Sequence, residues 1–553
     1  MKDKFYPPKF NGSDFHCPYC GVYSHQTWFA LYFIDGNSYR KIENSNICIC
    51  FHCYKKSIWY EGNMSKSVLI VGAGLGGLAT GLRLAARGYQ VSFVEKNQQP
   101  GGRLNQLKMN GFTFDVGPSF FSMPYEFEEL VKDCGMALPF EFVELDPLYT
   151  VNFRGSNRSF RLYKDIDKLS SQFEGIEPNF KAKFTSYLKK CEAIYNDTVD
   201  IAIKQNFDSI PAYLLALAKV NPRHLSVLLK TFWAQTGSYF ESKEARQIVS
   251  LIAFFLGRTP FDTNAVYTLL SHIEFSYTGY YNVKGGMYAI VEALTEELKK
   301  RNASFHFDTE IVDYVGHDDK LTSVIDQNGQ KWEADIFVIN SDAAYFRGKV
   351  LKRKKYADVR LDKMSWTMGY LTFYVGINTK LPQVEHHNYF LGNNYEEYAK
   401  DVMKNPGTLE KPYYYVNVLS KHNAQCAPEG CEALFFVCPA PNMLYKADWS
   451  DKQDIVNSII ADFSERIKYD ITKDIVFQKI YTPEDWQNQY NLYKGAGLGL
   501  SHSMLQIGAF RPKNYDEIFK NTFYVGASTV PGAGLPMAII SSKLTAERVY
   551  AMW

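Results

Sequence analysis

The chain has little net charge. Across 553 residues, 61 lysines and arginines are almost balanced by 59 aspartates and glutamates, which leaves a formal charge of +2. A protein that binds long nucleic acids needs a basic field to meet the phosphates, so this balance argues against extensive nucleic-acid contact. With 46% hydrophobic and 22% charged residues, the composition is that of a folded globular protein and excludes wholesale disorder.

Long apolar segments are also missing. The first fifteen residues mix charges and prolines and lack the apolar stretch of a secretory signal. The longest uncharged run, 521–542, contains Pro531 and Pro536, so it predicts a strand, a turn and the start of a helix instead of a bilayer span. We therefore expect an intracellular, cytoplasmic protein without a transmembrane helix.

The ten cysteines are unevenly distributed, and two Cys-x-x-Cys pairs lie near the amino terminus. In an intracellular chain, clustered cysteines indicate a metal site more often than disulfides, and four thiolates form the tetrahedral shell that suits zinc. Residues 1–63 therefore predict a small zinc ribbon with a structural zinc on Cys17, Cys20, Cys50 and Cys53. Ligands that we rank lower are Cys48, His16, His25 and His52.

Two alternatives to this interpretation stay open. The segment could be a vestigial, metal-free remnant. Met64 directly precedes the next motif, so translation could also begin there, which would make residues 1–63 an appended module.

A dinucleotide-binding fingerprint begins at residue 67. An apolar, β-branched run over 67–71 predicts a buried parallel strand, and the glycine-rich turn Gly72-Ala-Gly74-Leu-Gly-Gly77 follows at once. A helical pattern over 78–87 and a second strand that ends in an acid, Glu95, complete the unit. This order of elements is much more specific than the glycines alone.

Each part of the fingerprint has its own physical task. Gly72 permits the tight turn, Gly74 lets a pyrophosphate approach the backbone, and Gly77 lets the helix pack closely on the strand. The helix amino terminus offers free N–H groups to the phosphates, and Glu95 can accept hydrogen bonds from a ribose.

The residues after the acid distinguish between possible cofactors. Gly101-Gly102-Arg103 follows within a few positions and resembles the flavoproteins that include amine oxidases, protoporphyrinogen oxidases and carotene desaturases. The resemblance implies FAD, with these three residues near the phosphates or the flavin ring. It further implies that Pro118 and Ser119 form the turn beside the isoalloxazine, that Ile311 meets the adenine, and that a second helix points at the flavin from Gly526, Ala527, Pro536 and Met537.

From residue 64 onward the chain is similar to the bacterial phytoene (carotene) desaturase family. The similarity rests on the fingerprint, on the blocks 280–294 and 426–432, and on the tail 506–536. The chain departs from many relatives at Val530, where they carry His, and at Asn282, where they carry Pro. These departures affect the substrate assignment more than the family.

This family implies the removal of two hydrogens beside a conjugated polyene. The expected function is FAD-dependent desaturation of phytoene or a related acyclic carotene by hydride transfer to flavin N5, with oxygen or a quinone as the electron acceptor. Alternatives are a hydroxycarotenoid desaturase or a terminal-methyl oxidase on the same fold. More distant ones are an amine-oxidase-like flavoenzyme and a non-catalytic flavin redox sensor.

No catalytic base is evident from the sequence. Candidates in family-like segments are His502, Arg511 and Glu432, and a structural role is the alternative for each.

Residues 212–234 combine many leucines with Lys219, Arg223 and Lys230 and contain no acid, and Pro222 divides them into two short helices. An oily substrate must come from a membrane, so this segment predicts peripheral attachment to the inner face of a membrane. Ordinary amphipathic helices are the alternative. The apolar stretches 247–257 and 265–270 could line a substrate tunnel or belong to the core.

The predicted fold class is α/β, with a discontinuous Rossmann-type FAD-binding domain and a mixed α+β substrate domain after the zinc ribbon. The FAD-binding parts are 64–145, 277–345 and 484–553, with helices at 288–300 and 538–550. The substrate parts are 146–276, which is mostly helical, and 346–483, with strands such as 370–376 and 433–437.

Overall fold

The computed structural model describes residues 66–553 except residue 157, and four short strands before residue 66. The chain forms two compact units, Met1–Lys66 and Ser67–Trp553. In the first unit, the four strands form two antiparallel hairpins. The predicted zinc-binding cysteines and Cys48 lie outside the described residues, so the zinc ribbon remains a prediction from the sequence.

The strands are mostly short. In chain order they are β1 (Phe15–His16), β2 (Tyr23–Ser24), β3 (Phe33–Asp35), β4 (Ser38–Arg40), β5 (Ser67–Val71), β6 (Gln90–Val94), β7 (Asn105–Met109), β8 (Phe112–Val116), β9 (Phe142–Glu144), β10 (Tyr149–Phe153), β11 (Ser159–Leu162), β12 (Tyr281–Val283), β13 (Ser304–His306), β14 (Ile311–His317), β15 (Lys320–Asp326), β16 (Lys331–Glu333), β17 (Ile336–Ile339), β18 (Gly369–Ile377), β19 (His387–Leu391), β20 (Tyr414–Val418), β21 (Glu432–Ala440), β22 (Ile475–Tyr481) and β23 (Thr522–Tyr524).

The α-helices that the structure describes lie in the second unit. They are α1 (Leu75–Ala85), α2 (Pro124–Asp133), α3 (Ile166–Ser171), α4 (Phe180–Thr198), α5 (Ile210–Leu217), α6 (Leu225–Leu228), α7 (Phe232–Thr236), α8 (Lys243–Ser250), α9 (Leu269–His272), α10 (Tyr288–Lys300), α11 (Asp358–Leu361), α12 (Tyr395–Asp401), α13 (Lys452–Ile467), α14 (Pro483–Tyr490) and α15 (Leu535–Met552). Short 3-10 or π-helical turns connect several of them, among them Val199–Ile203, Pro222–His224, Leu251–Leu256, Ala265–Thr268, Ile273–Tyr277, Tyr345–Val350, Met504–Gln506 and Gly508–Phe510.

A five-stranded parallel sheet with the order β13-β6-β5-β17-β23 forms one side of the second unit. Its inner strands are apolar on both faces because helices and loops cover both sides, and helices α10 and α15 pack against α1 on one face. The five strands come from the three segments that the sequence assigns to the FAD-binding domain. The carboxyl ends of β5, β6, β17 and β23 therefore meet at one edge, where α/β sheets bind ligands.

A seven-stranded mixed sheet with the order β11-β10-β19-β20-β21-β18-β22 forms the other side of the unit. This sheet separates two layers of the unit. Strand β19 is an example, because its alternate side chains point to opposite faces of the sheet. Phe390 packs against Phe463 of α13, with ring centroids 5.3 Å apart. Tyr389 and Leu391 belong to the other face, where they line a cavity.

In the segment 212–234, helix α5 ends at Leu217, and Pro222 opens the 3-10 turn that leads into α6, as suits a residue without an N–H donor. The chain is thus divided just before Pro222, close to where the sequence predicts, and a second break separates α6 from α7. Helices α5, α6 and α7 are consequently short. In the part of the chain that the structure describes, none of the helices is long and apolar enough to cross a membrane.

Candidate functional site

A cavity of about 940 Å³ extends through the second unit from the nucleotide-binding sheet into the helical part. We call the portion at the carboxyl ends of β5, β6, β17 and β23 the cofactor half. The portion between the seven-stranded sheet and the 3-10 turns at Leu251–Leu256 and Ala265–Thr268 is the substrate half. The two halves are continuous, so a molecule in one half can reach a molecule in the other.

The glycine turn after β5 forms the floor of the cofactor half. Gly72 has a φ of +96°, which favours glycine, and its N–H donates to the carbonyl of Val94 at 2.8 Å. A Cβ on Gly77 would lie 2.5 Å from the carbonyl oxygen of Gly72. Gly77 therefore has the packing role that the fingerprint predicts, behind the cavity wall.

The structure brings the other predicted cofactor residues together in this one cavity. Those that line it are Gly72, Gly74, Glu95, Gly101, Gly102, Arg103, Pro118, Ser119, Ile311, Gly526, Ala527, Pro536 and Met537. They come from the stretches 72–119 and 526–537 and from Ile311, and only the fold makes them neighbours.

Glu95 is buried at the end of β6, and hydrogen bonds fix its carboxylate. Its Oε2 accepts from the backbone N–H of Ala73 at 2.8 Å, and its Oε1 accepts from the N–H of Asn97 at 2.9 Å. Burial raises the pKa of Glu95, and these hydrogen bonds oppose the rise. A fixed acid beside the glycine turn is the arrangement that holds a nucleotide ribose.

Arg103 reaches across the cofactor half. Its Nη1 donates to the carbonyl of Gly497 at 3.0 Å. The buried carboxylate of Asp342 interacts electrostatically with Arg103, although burial still raises the Asp342 pKa and lowers the Arg103 pKa. A guanidinium in this position offers a positive charge and further N–H donors to a diphosphate or a flavin ring.

Two helices begin against the cofactor half. Helix α1 starts after Gly74, and α15 starts after Gly534, with Pro536 in its first turn. Each amino terminus offers unpaired backbone N–H groups and the positive end of the helix dipole. Two such termini, the buried carboxylate of Glu95 and the half-buried guanidinium of Arg103 fit a dinucleotide with a flavin ring.

Some residues of the cofactor half are absent from the site that the sequence predicts. Asn340 and Asp342 follow directly after β17, and the side-chain amide of Asn340 donates to the carbonyl of Gly72 at 3.2 Å. Their position in the sequence could have identified them, because they are polar residues that follow a buried parallel strand, and α/β sheets bind ligands at the carboxyl ends of such strands. Residues with no such local signal also line this half, and they are Tyr345, Trp486, Tyr490, Asn491, Gly497 and Leu498.

The substrate half is lined mainly by aromatic and aliphatic side chains. Phe120 stands at its centre, with ring centroids 4.7 Å from Phe255, 4.8 Å from Tyr280 and 5.3 Å from Tyr415. The segments 247–257 and 265–270 contribute lining and also core. Lining residues from them are Leu251, Ile252, Phe254, Phe255, Leu256, Val266, Tyr267, Leu269 and Leu270.

A buried carboxyl, Glu274, also lines the substrate half. Burial raises its pKa to about 8, and the neighbouring hydroxyls of Tyr149 and Tyr280 act in the opposite direction. Glu274 is therefore largely uncharged at neutral pH.

The three catalytic candidates occupy different environments, and only His502 lines the cavity. The Nε2 of His502 accepts from the N–H of Ala533 at 3.3 Å. Burial, aided by the nearby Arg511 and Arg258, lowers the pKa of His502 to about 3, so its imidazole is neutral.

Arg511 and Glu432 have structural contacts instead. Buried Arg511 donates to five backbone carbonyls, which belong to Leu500, Ser501, Gln506, Ala527 and Thr529. Glu432 is buried at the start of β21, 3.0 Å from the Nζ of Lys421. Neither side chain faces the cavity, so both hold loops in place.

The cavity opens at helix α6 and the nearby turn Met504–Gln506. Leu225, Leu228 and Met504 line it and are at the same time exposed to solvent. Further exposed apolar side chains lie on or beside these segments, on α5 and on Gly508–Phe510. They are Ile210, Leu214, Leu215, Leu229, Leu505 and Phe510. Together with Leu225, Leu228 and Met504 they form a surface that we call the mouth patch. Lys219, Arg223 and Lys230 are exposed on the same segments.

Within the part of the chain that the structure describes, no group of three or more His, Cys, Asp or Glu side chains is arranged to hold a metal ion.

Comparisons with known proteins agree with this geometry. The profile of a family described as "Flavin containing amine oxidoreductase" matches residues 75–550. A zeta-carotene-forming phytoene desaturase of Myxococcus xanthus is 32% identical over 88% of this chain and 94% of its own length. A phytoene desaturase of Fusarium fujikuroi is 30% identical over 88% and 90%, and a carotenoid 3,4-desaturase of Haloarcula japonica is 30% identical over 87% and 97%.

Solved structures share the fold at much lower identity. A putrescine oxidase variant superposes with a TM-score of 0.59 at 14% identity, covering 88% of this chain and 99% of that one. An oxidoreductase from Methanosarcina mazei gives a TM-score of 0.56 at 15% identity, covering 87% and 100%. At such low sequence identities, these superpositions show only that the chains share an α/β fold with mixed sheets.

Proposed function

The chain belongs to the family of flavin containing amine oxidoreductases and is an FAD-dependent carotenoid desaturase, and we propose that its substrate is phytoene or a related acyclic carotene. The observation that carries the substrate proposal is the continuity of the cavity, whose cofactor half leads directly into an apolar substrate half. A long polyene can lie in the substrate half with one bond next to a flavin. The relatives named as phytoene desaturases support the same substrate class.

The chain's own residues would hold FAD at defined points. Glu95 would accept hydrogen bonds from the ribose, and the amino terminus of α1 would face the diphosphate. Arg103 and the amino terminus of α15 would offer positive charge to the flavin end. When bound, the oxidised flavin supplies the hydride acceptor for the desaturation.

The walls of the substrate half serve the reaction by excluding water. Desaturation develops positive charge on the carotene, and the conjugated chain itself delocalises that charge, so the protein needs no strong acid. Aromatic faces such as those of Phe120, Tyr389 and Tyr415 keep the polyene in place and dry. Reoxidation of the flavin by oxygen or a quinone completes the cycle, and comparing turnover with each acceptor will identify which one is used.

The mouth patch would rest on a membrane leaflet. Its exposed leucines surround the cavity opening, and Leu229 and Leu505 are 91% and 79% exposed. Lys219, Arg223 and Lys230 lie beside them and would meet anionic head groups. This contact gives an insoluble carotene a path into the cavity that avoids water.

A second candidate substrate is a hydroxylated carotenoid. Glu274 supports it, because a buried carboxyl group in an otherwise apolar compartment can hydrogen-bond an end-group hydroxyl. Product analysis separates the two, since an acyclic carotene gives a hydrocarbon product and a hydroxycarotenoid gives an oxygenated one.

We further propose a structural zinc in residues 1–63. The spacing of the two Cys-x-x-Cys pairs supports it, and tetrahedral thiolate sites of this kind stabilise small folds that lack a large core.

The direct test is co-expression in a host that accumulates phytoene, followed by pigment analysis. We expect coloured carotenes with more conjugated double bonds, up to red lycopene. Gly77→Val is the matched inactive control, because its side chain would collide with the carbonyl of Gly72. If the wild-type protein carries FAD and phytoene still remains unchanged, the substrate proposal is wrong, and oxidation of amines or hydroxycarotenoids is tested next.

A further inference from the structure

A row of polar side chains connects the substrate half of the cavity with the protein surface. It begins at Ser119 and Tyr415, continues through His387 and His386, and ends at exposed His422. We propose that this row is a proton relay that carries the proton released by desaturation from the closed cavity to solvent. The inference rests on the proposed function, because that reaction releases the proton.

The reaction creates a need for such an exit. Each new double bond requires that one carbon of the substrate loses a hydride, which the bound oxidised flavin accepts, and that its neighbour loses a proton. The electron pair of the second C–H bond becomes the new π bond. The proton is left in an apolar compartment, where a bare charge costs several kcal/mol and must be accepted by a base or conducted away.

The inner part of the relay is a short hydrogen-bonded chain. The Oγ of Ser119 lies 2.9 Å from the hydroxyl of Tyr415, and that hydroxyl lies 2.6 Å from Nδ1 of His387. The side-chain amide of Asn417 also reaches this Nδ1, at 3.3 Å. The Asn417 amide and the Tyr415 hydroxyl both donate to Nδ1, so Nδ1 is the acceptor atom of a neutral imidazole.

The directions of the pKa shifts of Tyr415 and His387 agree with that hydrogen-bond direction. Burial raises the pKa of Tyr415 well above its ordinary value and lowers that of His387 well below its own. In the resting protein the proton is therefore on Tyr415 and not on His387. A proton that arrives at the Tyr415 oxygen forms a new O–H bond there, while the original hydroxyl proton moves to Nδ1 of His387.

Packing keeps the inner part rigid. The ring of Phe120 stacks on His387 with centroids 3.9 Å apart and an interplanar angle of 20°. Because Phe120 directly follows Ser119 in the chain, this contact fixes the imidazole relative to the cavity wall. A fixed donor and acceptor 2.6 Å apart are at the distance that proton transfer requires.

The outer part leads from the sheet to solvent. The imidazoles of His387 and His386 are in contact, with centroids 4.4 Å apart, but no hydrogen bond joins them and the Nε2 of His387 has no partner. Because the His387 ring is fixed, proton transfer between the two requires a rotation of the His386 ring. Nδ1 of His386 and Nδ1 of His422 are 3.2 Å apart, so one of them donates to the other. His422 is exposed, and the proton can leave to water there.

Electrostatics favours outward movement. Burial lowers the pKa of His386 to about 3, so neither buried imidazole retains a proton. Burial also lowers the pKa of His422, and the nearby carboxylate of Glu385 opposes this shift, an attraction that neither buried imidazole is close enough to share as its main interaction. Arg161 pairs with Glu385 at 3.3 Å and limits this attraction, which leaves the proton free to pass on to water.

The test follows proton release and flavin reduction separately. FAD-loaded protein is mixed anaerobically with carotene in liposomes, and flavin bleaching is recorded together with the signal of a pH-indicator dye. In the wild type we expect both signals to change together. In His422→Gln and His386→Gln the proton signal should lag flavin bleaching by about tenfold or more, and added imidazole should restore it to His422→Gln.

The inner residue and the controls complete the design. Tyr415→Phe should slow flavin bleaching itself by about a hundredfold, since the Ser119 hydroxyl at the cavity wall then has no partner that passes a proton on to His387. His317→Gln changes a histidine that is 82% exposed and distant in sequence from the relay, and it should leave both signals unchanged. FAD content and thermal midpoint report whether each variant is folded.

The outcomes separate the two proposals. If carotene does not bleach the flavin of the wild type, the proposed function is wrong. If bleaching occurs and proton release keeps pace with it in His422→Gln, His386→Gln and Tyr415→Phe, the relay is wrong. If the proton signal lags flavin bleaching in Glu274→Gln and in none of the relay variants, Glu274 accepts the proton and the relay is wrong.

Discussion

Arg103 and Gly497 are nearly four hundred residues apart in sequence, yet the guanidinium of Arg103 donates to the carbonyl of Gly497 at 3.0 Å. This contact joins the glycine-rich stretch after β6 to the loop that precedes the last nucleotide-binding strand. It encloses the cofactor half from two sides, so Arg103 both shapes the cavity and supplies its charge.

Arg103→Lys should weaken FAD binding by about tenfold to a hundredfold, because lysine cannot donate to Gly497 and to the cofactor at the same time. Titrating apoprotein with FAD and following flavin fluorescence measures the effect. Arg360→Lys changes an exposed arginine and is the matched control. Equal FAD affinity in Arg103→Lys and the wild type would mean that Arg103 does not contribute to FAD binding.

Glu274→Gln should change how stability depends on pH. The pKa of Glu274 is about 8 in the folded protein against 4.5 ordinarily, so between these values the folded protein keeps a proton that the unfolded chain has released. This group therefore makes stability fall as pH rises through that window, by up to about 1.4 kcal/mol per pH unit, with no further loss above it.

The measurement is the thermal midpoint of the wild type and of Glu274→Gln at several pH values. The variant should gain stability relative to the wild type from pH 5 to pH 8, and Glu429→Gln, at an exposed position, should show no such gain. Parallel pH curves for the wild type and Glu274→Gln would mean that Glu274 ionises normally.

Charged substitutions in the mouth patch should weaken membrane binding. Leu229→Glu with Leu505→Glu places two acids where apolar side chains would meet lipid, and each buried leucine is worth about 1.5–3 kcal/mol. Flotation with anionic liposomes should show at least tenfold less bound protein, and turnover of liposomal carotene should fall equally.

Detergent-solubilised carotene should restore the turnover of this double variant, because its cavity is unchanged. Val476→Glu alters an exposed valine on strand β22, away from the mouth patch, and should bind liposomes like the wild type. Liposome binding by the double variant at the wild-type level would mean that another surface contacts the membrane.

The amino-terminal cysteines should hold one zinc per chain. We expect elemental analysis of the full-length protein to find zinc at that ratio, and Cys17→Ser with Cys20→Ser to abolish it. Cys431→Ser changes a thiol in the second unit and should retain the metal. Wild-type protein that is purified without chelators and carries no zinc would contradict the ribbon.

Local sequence patterns predict the start of the cofactor site well. Strand β5 and the glycine turn are adjacent in sequence, so their spacing alone indicates the ligand. Helix boundaries follow the same logic, since 288–300 coincides with α10. Helix α1 begins at Leu75, three residues before the prediction, because the last glycines of the turn already adopt helical geometry.

The remaining site residues depend on contacts that no local pattern encodes. Asn340 reaches the cofactor half because β17 pairs with β5, and Trp486 and Tyr490 reach it because α14 packs on β18 and β22 beside the stretch after β6. The catalytic candidates show the opposite case, in which the sequence suggests a functional role and the folded chain shows a structural one. Arg511 occupies a family-like segment, but its five carbonyl partners reveal a structural role that only the folded chain displays.

The order of strands in the five-stranded sheet has a consequence for biosynthesis. Its edge strand β23 and the helix α15 that follows it come from residues 522–552, whereas β5 and β6 leave the ribosome hundreds of residues earlier. The nascent polypeptide thus exposes an unfinished sheet for most of translation. Loading of the prosthetic group must await the emergence of α15, and chains arrested before it should be colourless and dependent on chaperones.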